Sequence, residues 1–518
     1  MTLKYTVYFI LLFCNVEIKC KGTRTNKNIL FLFVDDLRHL AAENVYLPNI
    51  QKMARNGVNF KSAYAQQALC APSRNSILTG RRPDSLHLYD FYSYWRNTVG
   101  NFTTLPQLFK EHGYNTYSVG KVFHPGQSSN YNDDYPYSWS EPPYHAPSNK
   151  YKDAAVCKDP ESKTLKRNLI CPVVVAKQPN QTLPDIEILN EALRILKARN
   201  NDTKPFFLAV GFHKPHIPLK FPVEFLEKVP ISKVRPPVFP DIPEAMPAVA
   251  WHPWTDVRKR DDIKRLRIPF PLGTMPGNWT LKIRQSYYAA ALYVDDLIGT
   301  LIAHVNRSNT IIILTGDHGW SLGENGLWAK YSNFDVALRV PLIFDIPGKT
   351  PESISTPVEL LDIFPTLAEL TGFEVPKCEH RKKSILCYEG KSLVHLMRGQ
   401  DARNVSYNIR QKFAFSQYPR SNADPREITD KPRLKDIKIM GYSVRTHRYR
   451  YTEWVSFNNT SFKPNWSVIY GNEFYDHKSD PYEANNIYLD DNYKKITKRL
   501  SRVLRSQILN RANTTMIQ

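Results

Sequence analysis

Four runs along the chain are almost wholly apolar, and each stops on a side chain that carries chemistry. "NILFLFVDD" ends on Asp35 and Asp36, "YNTYSVGK" on Lys121, "PFFLAVGFH" on His213, and "TIIILTGDH" on Asp317 and His318. Continuous apolar runs of this length are strands buried on both faces, the habit of parallel sheets. Between them the period becomes helical. "PNIQKMARNG" predicts a helix closed by Gly57 as its C-cap, and "RQSYYAAALYVDDLIG" a longer one around Tyr288, Ala291, Leu292 and Ile298. The acidic pair in the second, Asp295 and Asp296, falls within the helical period and reads as a partly solvated face. Ten prolines from Pro215 to Pro253 predict a long extended excursion.

The alternation predicts an α/β fold with a large, mostly parallel central sheet covered by helices on both faces. In such sheets ligands gather at the carboxyl ends of the strands. Asp35, Asp36, Lys121, His213, Asp317 and His318 are therefore expected along one edge. The pattern changes near residues 390 to 408. Beyond it, "YSVRTHRYRYTEW" is strand-like, and a basic helix carries Ile496, Leu500, Val503, Leu504 and Ile508 on one face. That helix is expected to pack on a smaller antiparallel sheet, not on a membrane. The division follows as residues 21–400 for the catalytic unit and 401–518 for a C-terminal unit completing its pocket.

Composition narrows the class. The chain has 518 residues, 42% hydrophobic and 23% charged, which is globular and far from disorder. A formal net charge of +21 suits a polyanionic partner. No zinc-finger, RRM or homeodomain signature accompanies it, which argues against nucleic acid. "MTLKYTVYFILLFCNVEIKCKG" has the form of a secretory signal, expected over residues 1–20, and its apolar run is too short to span a bilayer. No later stretch is apolar enough to do so. Sequons at Asn101, Asn180, Asn201, Asn278, Asn306, Asn404, Asn458, Asn459, Asn465 and Asn513 agree with export.

Seven cysteines are present, and Cys14 and Cys20 fall in the signal region. Cys157 with Cys171, and Cys378 with Cys387, can each close a short loop in an oxidising compartment. Cys70 is left over. Such a thiol is buried and inert, bridges chains, or is chemically special.

Its neighbours decide. "CAPSRNSILTG" fits C-x-P-S-R-x-x-x-L-T-G at every fixed position. On that motif the chain resembles the sulfatase family of alkaline-phosphatase-like folds. The resemblance implies that Cys70 is oxidised to Cα-formylglycine by the formylglycine-generating enzyme, so it needs no disulfide partner. A hydrated aldehyde offers two hydroxyls on one carbon: one takes the sulfo group, and deprotonation of the other expels it. Pro72 and Ser73 open a helix whose N-terminus favours anions.

The resemblance further implies a calcium ion held by Asp35, Asp36, Asp317, His318 and the modified Cys70. Hard oxygen ligands suit calcium, while His318 is a nitrogen donor where many sulfatases carry Asn. Arg74 is expected to hold the hydrate, and Lys121 and His124 to bind and activate it. His213 and Lys330 are expected to clamp the sulfate and assist the departing oxygen. "LYDFYSYWRN", "VGFHKPHIP", "DHGWSLGENGLWAKYSNFD" and "LKDIKIMGYSVRT" resemble the iduronate 2-sulfatase branch, with Trp320 at the substrate. That branch removes the 2-O-sulfate from non-reducing-end L-iduronate of heparan and dermatan sulfate. The uronate carboxylate calls for a cation, for which Arg420 and Lys431 are the candidates. Lysosomal or secreted delivery follows. The competing readings are a sulfatase for another glycosaminoglycan or an aryl sulfate, and a secreted sulfated-glycan binder without turnover.

Overall fold

A computed structural model describes residues 26–40, 45–159, 163–199, 203–378, 385–397 and 413–512. The expected signal segment, the unit boundary at 400 and the sequons at Asn201, Asn404 and Asn513 lie outside the described residues. Each of the four apolar runs is a strand: β1 (Asn28–Val34), β3 (Asn115–Gly120), β4 (Phe206–Phe212) and β5 (Thr310–Gly316). Three further runs join them, β2 (Val58–Tyr64), β6 (Arg339–Asp345) and β7 (Glu352–Ile354). The sheet order is β7-β2-β6-β5-β1-β4-β3, with β8 (Val358–Glu359) also on β2. All pairings are parallel except those of β6, which runs against both neighbours.

Helices α1 (Pro48–Asn56), α2 (Cys70–Thr79), α3 (Leu105–Glu111), α4 (Pro184–Arg199), α5 (Gly277–Ala303) and α6 (Ile363–Thr371) surround this sheet. Two local expectations are corrected. Gly57 ends α1 in extended backbone, φ −121°, not in a left-handed cap. What demands glycine there is proximity, since a Cβ would lie 2.5 Å from the carbonyl oxygen of Phe344 on β6. Asp295 is fully buried, and only Asp296 of that pair is exposed. The Asp295 carboxylate accepts the backbone N–H groups of Asn49 at 3.0 Å and Ile50 at 2.7 Å, capping the first turn of α1 from α5. Orphan donors at a helix start are otherwise costly. Asp295→Ala is expected to lower stability by about 1–3 kcal/mol, read by urea unfolding.

The C-terminal part is an antiparallel meander, β9 (Ala414–Arg420), β10 (Ile439–Arg445), β11 (Tyr449–Asn458) and β12 (Lys463–Asp476), covered by α7 (Lys494–Ala512). Alternate residues face opposite ways along a strand. Tyr418, Ile439, Trp454 and Tyr475 accordingly join the main core. Met440, Tyr442, Val455 and Phe474 form a separate core with Leu500, Leu504 and Ile508 of α7. The sheet therefore stands between α7 and the rest of the molecule.

Candidate active site

Strand register assembles the site. Val34 at the end of β1 pairs with Gly316 of β5 on one side and Phe212 of β4 on the other, while Gly120 of β3 pairs with Gly211 of β4. One residue further along these strands stand Asp35, Asp317, His213 and Lys121. The approach of β3 to β4 depends on Gly211, where a Cβ would lie 1.9 Å from the Lys121 carbonyl oxygen. The segment after β2 brings in Cys70, the first residue of α2 and only 1% exposed. Gly80, in left-handed backbone at φ 63°, then turns the chain out of α2.

Around the Cys70 sulfur lie Lys330 Nζ at 3.0 Å, His318 Nε2 at 3.3 Å, Lys121 Nζ at 3.4 Å and Asp35 Oδ1 at 3.5 Å. The charges interlock. Arg74 donates from Nη2 to Asp35 at 3.0 Å and from Nε to Asp317 at 2.8 Å. Lys121 meets the other Asp35 oxygen at 2.5 Å, and Lys330 meets Asp36 at 2.8 Å. Three carboxylates thus face three cations, all buried. Burial first, and then the Asp35 charge, push the Cys70 thiol up to about 12. A thiol protonated at every physiological pH is a poor nucleophile, so the residue as encoded is badly matched to so constructed a pocket.

The donor set also fits a hard divalent cation. Ligand atoms of Asp35, Cys70, Asp317 and His318 lie within 4.8 Å of one another. Asp36 Oδ2 is buried with no hydrogen-bond partner. His318 Nδ1 lies 2.9 Å from the Gly319 carbonyl, which fixes the proton there and leaves the Nε2 lone pair facing Asp36 and Asp317, each 3.5 Å away. An unpartnered carboxylate oxygen and a nitrogen lone pair turned toward carboxylates are donors suited to a cation. The cation would also convert a balanced pocket into a net +2 one, able to hold a sulfate ester.

The other expected residues divide. His213 and His124 feel the same Lys121, Asp35 and Arg74 charges. Burial first, then Lys121, bring His213 down to about 3 and His124 well below its ordinary value, so both are neutral imidazoles. Asp185, at the start of α4, accepts the His213 backbone N–H at 2.6 Å. Trp320 is enclosed. It is 1% exposed and stacked on Tyr287, whose hydroxyl donates to the Asp36 carbonyl at 2.6 Å. Arg420 is equally enclosed, donating to the carbonyls of Val249 at 3.0 Å and Tyr331 at 2.7 Å. Lys431 stays partly exposed and meets both oxygens of Asp256 at 2.7 Å. The Tyr331 hydroxyl donates to that same Asp256, which places Lys431 near Lys330.

His216 went unread in the sequence. A ring nitrogen of His216 lies within 4.8 Å of Asp36 and Cys70. The signal was its spacing from His213 in "HKPH", on the same strand end. Both disulfides are formed, with S–S distances of 2.06 and 2.11 Å, and Cys70 is a free, buried thiol. Asn101, Asn180, Asn278, Asn306, Asn458 and Asn465 are exposed, whereas Asn459 is half-buried.

Glu324 braces the loop after β5. It lies between Arg38 at 2.8 Å and Arg284 at 3.3 Å and accepts the Leu322 N–H at 2.7 Å. Burial opposes its charge, but Arg38 and then Arg284 prevail and bring it down to about 2. A depressed carboxylate stabilises above its unfolded pKa, and that contribution is lost as pH falls through the folded one. Glu324→Gln is expected to destabilise at pH 7 by about 3 kcal/mol. The gap from the unsubstituted protein is expected to close between roughly pH 5 and 2 in acid unfolding.

Comparison with known proteins agrees with this geometry. Residues 27–373 match the sulfatase family model, and residues 323–510 match that of the N-sulphoglucosamine sulphohydrolase C-terminal region. The chain is 46% identical over 513 residues to human iduronate 2-sulfatase, covering 92% of this chain and 93% of that one. Mouse iduronate 2-sulfatase is 46% identical over 505 residues, covering 90% and 91%. Among solved structures, a phosphonate monoester hydrolase from Silicibacter pomeroyi shares the fold with a TM-score of 0.70 at 21% identity, over 95% and 97% of the two chains. With both the motif and the converging strand ends in place, the chain belongs to the sulfatase family.

Proposed function

We propose that this chain is an exo-sulfatase that removes the 2-O-sulfate from non-reducing-end L-iduronate of heparan and dermatan sulfate. The observation that carries the reading is the enclosure of Cys70 by three carboxylates, His318 and three cations, gathered from the ends of β1, β3 and β5, from α2, and from the connection between β5 and β6. The 46% identity to two iduronate 2-sulfatases over nearly the whole chain supports the substrate. Cys70 is the site of the formylglycine, made by the formylglycine-generating enzyme, which supplies the attacking hydroxyl and the exit for sulfate. Asp35, Asp36, Asp317 and His318 would hold a calcium ion, which would supply positive charge to offset a sulfate ester.

The chain's own residues do the rest. Arg74 offsets the carboxylates and fixes their orientation through Asp35 and Asp317. Lys121 and Lys330, within 3.4 and 3.0 Å of Sγ, bind sulfate oxygens, and Lys330 keeps a proton beside the departing oxygen. His124 and His213, as neutral imidazoles, accept the hydrate's proton and orient the ester. Lys431 takes the uronate carboxylate at the rim. Arg420 and Trp320, both enclosed, position Tyr331 and the Asp36 loop instead of touching the sugar. Two disulfides and the leader-like start favour a secretory route, to the lysosome or outside the cell.

The test compares an iduronate 2-sulfate disaccharide, a sulfated hexosamine and an aryl sulfate. The expected result is a kcat/KM preference for the first of at least about 100-fold. Equal turnover of all three would remove the iduronate assignment and leave a sulfatase of another specificity.

A further inference from the structure

The outer surface of the C-terminal sheet carries a concentration of charge that sulfate hydrolysis at Cys70 does not use. Helix α7 holds Lys494, Lys495, Lys498, Arg499, Arg502 and Arg505, with no Asp or Glu anywhere in it. At 3.6 residues per turn these six cations fall within about 140° of the helix circumference. The opposite arc bears Leu500, Leu504 and Ile508, buried on the sheet. The first five cations are exposed. Compensation is slight: Lys494 lies 3.5 Å from the exposed Asp491, and Arg505 is held by Glu453 at 2.9 Å. Like charges at i,i+4 repel one another, a cost that an anionic ligand along the helix would remove.

Beneath the cations, between α7 and the sheet, runs a groove of about 370 Å³. Lys498, Arg502 and Arg505 line one side of it, with Tyr451, Tyr488 and Asn472 opposite. The stripe from Lys494 to Arg505 is about 16 Å long at 1.5 Å per residue, a length suited to an extended polymer more than to a single ion. A membrane surface is disfavoured because the apolar arc of α7 is already spent on the sheet.

Resting on the proposed function, we infer that the outer arc of α7 and the groove beneath it form a second binding site for a sulfated glycosaminoglycan chain. The four-stranded sheet separates this site from the pocket at Cys70. It tethers the polymer while its terminal sugar is processed.

The test uses two charge-matched triple variants of the full chain, Lys498→Gln/Arg499→Gln/Arg502→Gln on α7 and Lys52→Gln/Arg55→Gln/Lys61→Gln on exposed positions elsewhere. Heparan sulfate binding is measured by calorimetry across a salt series, and kinetics on long chains and on the iduronate 2-sulfate disaccharide. The α7 variant is expected to lose at least tenfold in chain affinity, with a shallower salt dependence. Its KM for long chains is expected to rise in parallel, while kcat/KM on the disaccharide stays within twofold and reports intact folding. The control triple is expected to change chain affinity by less than twofold. Unchanged binding in the α7 variant, or equal losses in both triples, would overturn the site. Tighter wild-type binding to duplex DNA of matched charge would overturn the glycan assignment. If the wild type binds chains through α7 yet hydrolyses no iduronate 2-sulfate, the substrate reading fails and the second site stands.

Discussion

Cys70→Ala is expected to reduce sulfate release by at least about 10⁴-fold, the largest effect of any single substitution in this chain. The side chain stands where Lys121, Lys330, His318 and Asp35 converge, and none of these four carries a hydroxyl or thiol that could replace it. Cys70→Ser separates two roles. A serine hydroxyl can take a sulfo group but has no second hydroxyl on the same carbon to expel it. The expected result is a single turnover at most, seen as a burst that stops at one sulfate per chain, while Cys70→Ala shows no burst. Both variants are expected to melt within a few degrees of the unsubstituted protein, since neither removes a member of the interlocked carboxylates and cations around position 70. Sustained turnover by either variant would remove Cys70 from the chemistry.

Asp317→Asn is expected to cost both cation and fold. One oxygen of Asp317 accepts the backbone N–H groups of Asp36 and His318, each at 3.0 Å. The other meets Arg74 at 2.8 Å and faces His318 Nε2 at 3.5 Å. An asparagine keeps the first set but turns an amide NH₂ toward Arg74 and the imidazole lone pair. The guanidinium of Arg74, 0% exposed, then loses half of its anionic partnership. Breaking a buried pair of this kind costs about 3–5 kcal/mol. Elemental analysis is expected to show calcium falling from one per chain to a small fraction, with turnover down at least about 10³-fold and a lower melting temperature. Full calcium occupancy with more than a tenth of the activity would contradict the proposed ligand set.

How much of this was legible in the sequence depends on the kind of signal. Strands β1, β3, β4 and β5 were readable because burial on both faces writes itself as an unbroken apolar run. Parallel register then carries their terminal residues to one edge without further information. Cys70 was readable because the motif places it at the start of a helix, with Arg74 one turn on. What escaped depends on distant partners. Asp295 looks solvated within α5 because its ligands, the N–H groups of Asn49 and Ile50, belong to a helix some 245 residues away. Gly57 looks like a left-handed cap because nothing local reveals the Phe344 carbonyl beside it. Trp320 follows His318 by two residues, and composition cannot say which way such a side chain turns; Arg420 gives no local sign that the Val249 and Tyr331 carbonyls enclose it. His216 shares its strand end with His213 and needed only the same reasoning applied three residues later.

The most direct measurement is mass spectrometry of the tryptic peptide Ser62–Arg74 from protein made with graded amounts of the formylglycine-generating enzyme, set beside turnover of the same samples. Sulfate release is predicted to rise in proportion to the fraction of position 70 found as aldehyde and to vanish with that fraction. Full turnover from chains that carry an intact cysteine there would contradict the account.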